Sequence, residues 1–199
     1  MGKLRNNKTK EEARRIILRG TLELVGEYGL QKFSTRALAS KLQMSSANLY
    51  HHFQNMEEIL VDATIYFFDE VREAALPKEY DGLEDFYIQL ETSVVYFFEN
   101  NKAFTRGYVI ISGSYGNDEG YQKKLLQKYQ QNIESTEVII RKMLPANISE
   151  EDAEDFILGL VLLREGIHQL VVADTLKDSY LRIWRRMVKM MIKEIVEKY

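Results

Sequence analysis

The sequence predicts an all-α fold. Three observations carry this. The 199 residues contain two prolines, Pro77 and Pro145, so little interrupts a helical run. Apolar residues recur at i, i+3 and i+4 along most of the chain, and nowhere alternate for a useful length. Helical stretches also begin at side chains able to cap them, as in Thr9-Lys-Glu-Glu12 and Asn55-Met-Glu-Glu58.

About nine helices follow. The first starts after Thr9, with Glu12 reaching back to the cap. Its apolar stripe is Ala13, Ile16, Ile17, Gly20, Leu24 and Tyr28, and Gly29 ends it as a residue free to take positive φ. Ser34 caps a short second helix and Ser45 a short third one. Asn55 opens the fourth, which runs to about Ala75 before Pro77. The fifth opens at Asp81 or Gly82 and ends near Asn100-Asn101. A shorter sixth spans about Ala103 to Ile111, and Gly113-Ser-Tyr-Gly116 reads as a loop. The seventh runs from about Asp118 to Met143. Pro145 breaks the chain, and Ser149 with Asp152 restarts it. The eighth helix runs to about Ala173 and the ninth from about Ser179 to Lys198. No internal repeat or low-complexity linker separates them.

Composition narrows the class. Hydrophobic content of 45% and charged content of 29% predict an ordinary soluble protein. There is no cysteine, which removes disulfides, thiolate metal sites and cysteine nucleophiles and fits a cytoplasmic location. Met1 to Lys10 is basic and polar rather than a signal peptide. The apolar run Phe156 to Leu163 stops at Arg164 and is too short to span a bilayer. The net charge of -3 hides an asymmetry. Residues 1–55 hold 10 Lys+Arg against 4 Glu, and residues 56–199 are acidic overall. A basic head on an acidic body is the footprint of a nucleic-acid module joined to something else. The expected division is therefore a DNA-binding domain at 1–55 and a helical body at 56–199.

The most informative stretch runs from Ser34 to Phe53. Leu38, Ala39 and Leu42 mark one buried face. Ala47, Leu49, Tyr50 and Phe53 mark a second. Gln43-Met44-Ser45 lies between them as a turn. Small Ala39 lets two helices approach steeply. This is the sequence form of a helix-turn-helix, whose second helix enters the DNA major groove. Ser-x-Arg-x-Leu-Ala at Ser34 to Ala39, followed by Ser45-x-x-x-Leu-Tyr-x-x-Phe, resembles the DNA-binding domain of the tetracycline-repressor (TetR/AcrR) family. The likeness covers about Lys8 to Leu60, and Leu-Tyr-His-His-Phe at Leu49 to Phe53 is its most specific part. The resemblance implies a three-helix DNA-binding domain followed by a helical ligand-binding and dimerisation bundle, with repression as the family's commoner mode. Three positions depart from the family pattern. Gln43 stands where Gly is usual, Leu42 replaces a small residue and implies a roomier contact with the first helix, and Met56 replaces a Lys.

A helix that reads bases needs small or polar residues in front and apolar ones behind. Ser45, Ser46, Ala47, Asn48 and His51 supply the front. Asn48 suits a bidentate contact to adenine. Ser45, Ser46, Tyr50 and His51 suit phosphates, as do Thr35 and Arg36 on the first turn of the second helix. His51 and His52 are adjacent and face different ways, so they make a poor metal pair. No metal or cofactor is expected.

The body is rich in rings. Of 22 Phe, Tyr and Trp, 14 lie between Tyr66 and Tyr129. Most will pack a core, but the adjacent pairs Phe67-Phe68 and Phe97-Phe98 suggest a cavity among helices four to eight. There the resemblance places an inducer, expected to be small and largely apolar. Candidate ligand residues are Phe67, Phe86, Phe97, Phe104, Tyr108, Tyr129, Arg164 and His168. The eighth helix is apolar nearly all round, and the ninth carries a wide apolar face around Tyr180, Trp184, Met187 and Met191. Two copies packed as a four-helix bundle would cover both, making Leu160, Ile167, Tyr180, Trp184, Met187 and Met191 candidates for a homodimer interface. The expected partners are double-stranded operator DNA, an inducer of unidentified structure and a second copy.

Two rival classes remain. Glu165-x-x-His168 matches half of a di-iron carboxylate site, but the second half is missing from a chain with three His. No Gly-rich phosphate loop, GxSxG or HExxH occurs. The basic stripe of the ninth helix would suit a membrane surface, but is adequately explained as a solvated face.

Overall fold

Helix ends fall close to the capping side chains. A computed structural model describes residues 9–172 and 177–199, without the side chains of 165, 167–172, 177 and 178. Nine α-helices form among the described residues: α1 (Lys10–Tyr28), α2 (Thr35–Lys41), α3 (Ser46–His52), α4 (Met56–Ala75), α5 (Gly82–Asn100), α6 (Lys102–Tyr115), α7 (Glu119–Arg141), α8 (Glu150–Val172) and α9 (Lys177–Lys198). A single 3-10 turn, Leu30–Lys32, follows α1.

The reciprocal capping box of α1 is present. Glu12 N–H donates to Thr9 Oγ1 at 3.2 Å, and Thr9 N–H to Glu12 Oε2 at 2.7 Å. Gly29, at φ 82°, ends the helix and donates its N–H to Val25 O. At α4, Asn55 Oδ1 accepts from Glu58 N–H at 2.8 Å, while Glu58 reaches back to Gln54 N–H. Ser149 caps α8 through Asp152 N–H at 3.1 Å.

Two local expectations are corrected. Tyr28 ends the predicted stripe of α1 but is exposed, because it is the last residue of the helix. The stretch that reads as a loop, Gly113-Ser-Tyr-Gly116, stays helical through Tyr115. Ser114 Oγ donates to Ile110 O at 2.9 Å, so its hydroxyl bonds into the helix instead of breaking it.

The backbone divides into two compact units. The first comprises the chain up to Glu70 together with Asn101–Leu125. Within it α6 crosses α1 very closely, at two glycines. A β-carbon on Gly107 would lie 1.9 Å from Leu22 O, and one on Gly26 would lie 1.8 Å from Ala103 O. Small residues are thus required on both helices. Ion pairs fasten the same unit: Glu70 meets Arg15 at 2.9 Å and Arg19 at 2.7 Å, and Arg19 also donates to Asn101 Oδ1.

The second unit comprises Val71–Asn100 and Leu126–Tyr199. Here α9 packs on α5 and on α8. Tyr180, Trp184, Val188 and Ile195 form its buried face. Trp184 Nε1 donates to Tyr87 O at 3.3 Å, and the Tyr180 hydroxyl bonds the buried Glu91 carboxylate. Among the described residues no helix is long and apolar enough to cross a membrane.

Candidate nucleic-acid interface and ligand cleft

The turn between α2 and α3 is built by three short polar contacts. Ser34 Oγ accepts from Ala37 N–H at 3.1 Å and Ser45 Oγ from Asn48 N–H at 3.1 Å, so both helices start at a side-chain cap. Met44 N–H bonds Ala39 O at 2.9 Å and closes the turn. Gln43 takes φ 54°, the left-handed conformation that a Gly would take without strain. A side chain there costs on the order of 1 kcal/mol. The contact beside the turn is not roomier, as Leu42 suggested. Gly20 of α1 lies beneath Leu42, with 2.7 Å between an added β-carbon and Leu42 Cδ2. The missing side chain on one helix accommodates the larger one on the other.

This geometry orients α3. Leu49 and Phe53 are buried at 0% and 2% exposure. Ser45, Ala47, Asn48, Tyr50 and His51 are exposed, and Ser46 is half-buried, so Ala47 and Tyr50 are corrected from the buried face to the open one. The Tyr50 hydroxyl reaches Thr35 Oγ1 at 3.4 Å, which joins α3 to the first turn of α2, where Arg36 is exposed. The eight residues expected to meet DNA therefore lie on two adjacent helix starts and one open face. His52 points the other way and is half-buried. Its pKa is lowered by burial first, then by His51, Lys10 and Arg14.

The basic head is less free than its sequence implies. Arg14 pairs with Asp62 at 2.8 Å, Arg15 and Arg19 with Glu70, and Lys41 with Glu27 at 3.0 Å. Arg36 and Lys32 make no ion pair among the described residues. Sequence reasoning missed these pairs because the partners are far away in the chain.

The aromatic residues divide between the units. In the first, Phe67 stacks on Tyr108, with centroids 4.1 Å apart and planes 8° apart, and on Phe104 at 5.4 Å. Phe67 and Phe104 are buried, and rings packed this closely leave no space between them for a ligand. In the second, Phe86 and Phe97 belong to the core. A cleft lies instead among α5, α7 and α8 of the second unit. Its lining is Tyr87, Asn132, Ile133, Thr136, Ile140, Ile157, Leu160, Val161 and Arg164, and it encloses about 20 Å³. Of the predicted ligand residues whose side chains are described, only Arg164 lines it. Tyr129 is half-buried outside it. Burial raises the Tyr87 hydroxyl pKa, and the nearby Arg164 charge offsets part of that rise.

The predicted dimer residues also divide. Leu160, Tyr180 and Trp184 are buried inside their own chain, so they are corrected to core residues. Met187 and Met191 are half-buried. The open apolar surface of α8 and α9 is carried by Leu158, Leu162, Ile183, Met190 and Val196. The side chains of Ile167 and His168 lie outside the described part. Among the described residues no cluster of His, Asp and Glu is placed to hold a metal.

A capped hairpin of short helices, with a polar exposed face on the second, is the arrangement of a helix-turn-helix DNA-binding module. The profile of the bacterial regulatory proteins of the tetR family matches residues 17–63. The fold is similar to that of a transcriptional regulator from Pseudomonas aeruginosa, with TM-score 0.70 and 14% identity over 96% of this chain and 94% of that one. It is also similar to a TetR-family regulator from Rhodococcus, with TM-score 0.67 and 15% identity over 92% and 98%. GusR of Salmonella enterica matches with TM-score 0.66 and 20% identity over 96% and 100%. No curated protein matches in sequence. The N-terminal module is that of the tetR family, and the chain has the fold of a TetR-family transcriptional regulator. The family matched by that module is one of bacterial regulatory proteins.

Proposed function

We infer that this protein is a dimeric repressor, released from its operator by a small amphipathic ligand. One observation carries the DNA part: α3 presents Asn48 and His51 to solvent from a helix whose back, Leu49 and Phe53, is fully packed. In this reading residues 1–55 bind DNA, and residues 56–199 bind ligand and the second subunit. Asn48 reads a base, while Thr35, Arg36, Ser45, Ser46, Tyr50 and His51 hold phosphates. Ala47 lets the backbone approach the groove.

The cleft of the second unit is the ligand site in this reading. Its walls are Ile133, Ile140, Ile157, Leu160 and Val161, and among the described residues Arg164 is its one charged lining residue. A largely apolar body with one anionic or hydrogen-bonding group fits that lining. A cavity of this size holds about one water, so a ligand has to spread α7 from α8 on entering. Such a movement is suited to altering the spacing of two recognition helices. Leu158, Leu162, Ile183 and Met190 supply the apolar surface for the second copy.

The test is selection of bound duplexes from a random pool, then anisotropy titration at several salt concentrations. A two-fold symmetric consensus with affinity falling steeply in salt supports the reading. Equal binding to every duplex, or to none, rejects it.

A further inference from the structure

Helix α3 is seven residues long. A helix of two turns does not hold its own shape or direction in water, so side chains from elsewhere set its pose. Leu49 and Phe53 fix its back. Its C-terminal end is fixed by one residue of α1. Arg14 Nη1 donates to the carbonyl of His52, the last residue of α3. That carbonyl has no partner within the helix and lies at its negative end, where a cation is favoured.

The same guanidinium is held from the other side. Nη2 bonds Asp62 Oδ2 on α4 at 2.8 Å, Glu58 is 4.0 Å away, and Cζ lies 4.0 Å from the Phe53 ring centre. A planar fork that bonds two acceptors and covers a ring has little freedom left. Arg14 therefore ties Asp62 of α4 to the end of α3. Asp62 is itself shared: its Oδ1 lies 3.7 Å from Lys124 Nζ, near the start of α7. Farther along the same helix, Asn132, Ile133 and Thr136 line the cleft.

We propose that Arg14 is a positioning residue for the recognition helix, and that Lys124, by competing for Asp62, is the point through which α7 alters its grip. This rests on reading α3 as the DNA-reading helix. Withdrawal of Lys124 leaves Asp62 wholly to Arg14, and its approach draws the carboxylate away. The pose of α3 changes in either case, and so does its preference among sequences.

The probe is the duplex that the unmodified protein selects from a random pool, with a scrambled duplex as control. The readout is the ratio of the two affinities, which a general loss of positive charge or of stability does not move. Lys124→Ala should change this ratio roughly threefold or more. Lys124→Arg, which keeps the ion pair, should restore it. In an Asp62→Asn background, Lys124→Ala should leave the ratio unchanged. Arg14→Lys, which keeps the charge but not the fork, should lower the ratio with little effect on the scrambled duplex. The relay is overturned if Lys124→Ala leaves the ratio as it was, or if Lys124→Arg behaves like Lys124→Ala. Equal shifts with and without Asp62 overturn it too. These surface variants of Lys124 decide the matter even if Asp62→Asn fails to fold. Failure to select any duplex would defeat the DNA-binding reading and is distinct from failure of the relay.

Discussion

The carbonyl oxygen of Leu22 occupies the space that a side chain on Gly107 would need, 1.9 Å from its β-carbon. Backbone cannot yield as a side-chain tip can. Gly107→Ala should therefore cost more than about 3 kcal/mol, the scale of severe overpacking. Gly20→Ala meets only the tip of Leu42 and regains helix propensity, so it should change stability by about 1 kcal/mol or less. Urea unfolding of the two variants checks the contrast. Equal losses would mean that the α1–α6 crossing is looser than it looks.

Asn48→Ala should relax specificity at one base position and cost about 1–3 kcal/mol there. Arg36→Ala should weaken all duplexes alike and make the salt slope shallower by about 0.9, the share of a single neutralised phosphate. Arg14, Arg15, Arg19 and Lys41 already have carboxylate partners. Neutralising Arg15 should thus leave the salt slope unchanged while lowering stability. Anisotropy at graded salt distinguishes the two arginines.

Leu162→Glu or Ile183→Glu should give folded monomers, because both side chains are exposed on one chain and would be covered in a dimer. Trp184→Ala should instead lower the melting temperature, since it empties space in the core at a cost of about 3–5 kcal/mol. Sedimentation together with thermal unfolding separates these outcomes. A monomeric unmodified protein at micromolar concentration would remove the proposed interface.

Acid should loosen the C-terminal end. Lys198 Nζ, at 2.5 Å, heads the groups that stabilise the Asp152 carboxylate, with the Tyr199 hydroxyl and Ser149 adding bonds. Together they lower its pKa from 3.8 to about 2. A depressed carboxylate stabilises the fold fully above its unfolded pKa, and that contribution fades as pH falls from about 4 through 2. Hydrogen exchange in the last turn of α9 should accelerate over that window. Asp152→Asn should show the faster exchange already at neutral pH.

Much of the fold is legible from the residues. Thr9, Ser34, Ser45 and Ser149 announce helix starts because a hydroxyl before a helical period has one local use. The recognition face of α3 follows from the same period. What the period does not give is the identity of the covering element. Trp184 and Met190 lie on one broad stripe of α9, yet Trp184 meets α5 and Met190 meets solvent. Likewise the ring-rich stretch from Tyr66 to Tyr129 is continuous in sequence, but its members are assigned to different units, so a count of rings points away from the cleft. Arg14 belongs by sequence to the basic head, and nothing local signals a carboxylate as distant as Asp62.

The single tryptophan gives the protein its own optical reporter. Trp184 is shielded from water, and its indole N–H bonds the backbone of Tyr87, whose side chain lines the cleft. Any molecule that enters there changes the surroundings of a residue one bond away from the indole. Emission intensity and wavelength can therefore follow binding without a label. Because the chain has no cysteine, a thiol introduced on α3 would accept a dye uniquely. One sample would then report the events at the cleft and at the DNA-facing surface separately, in real time.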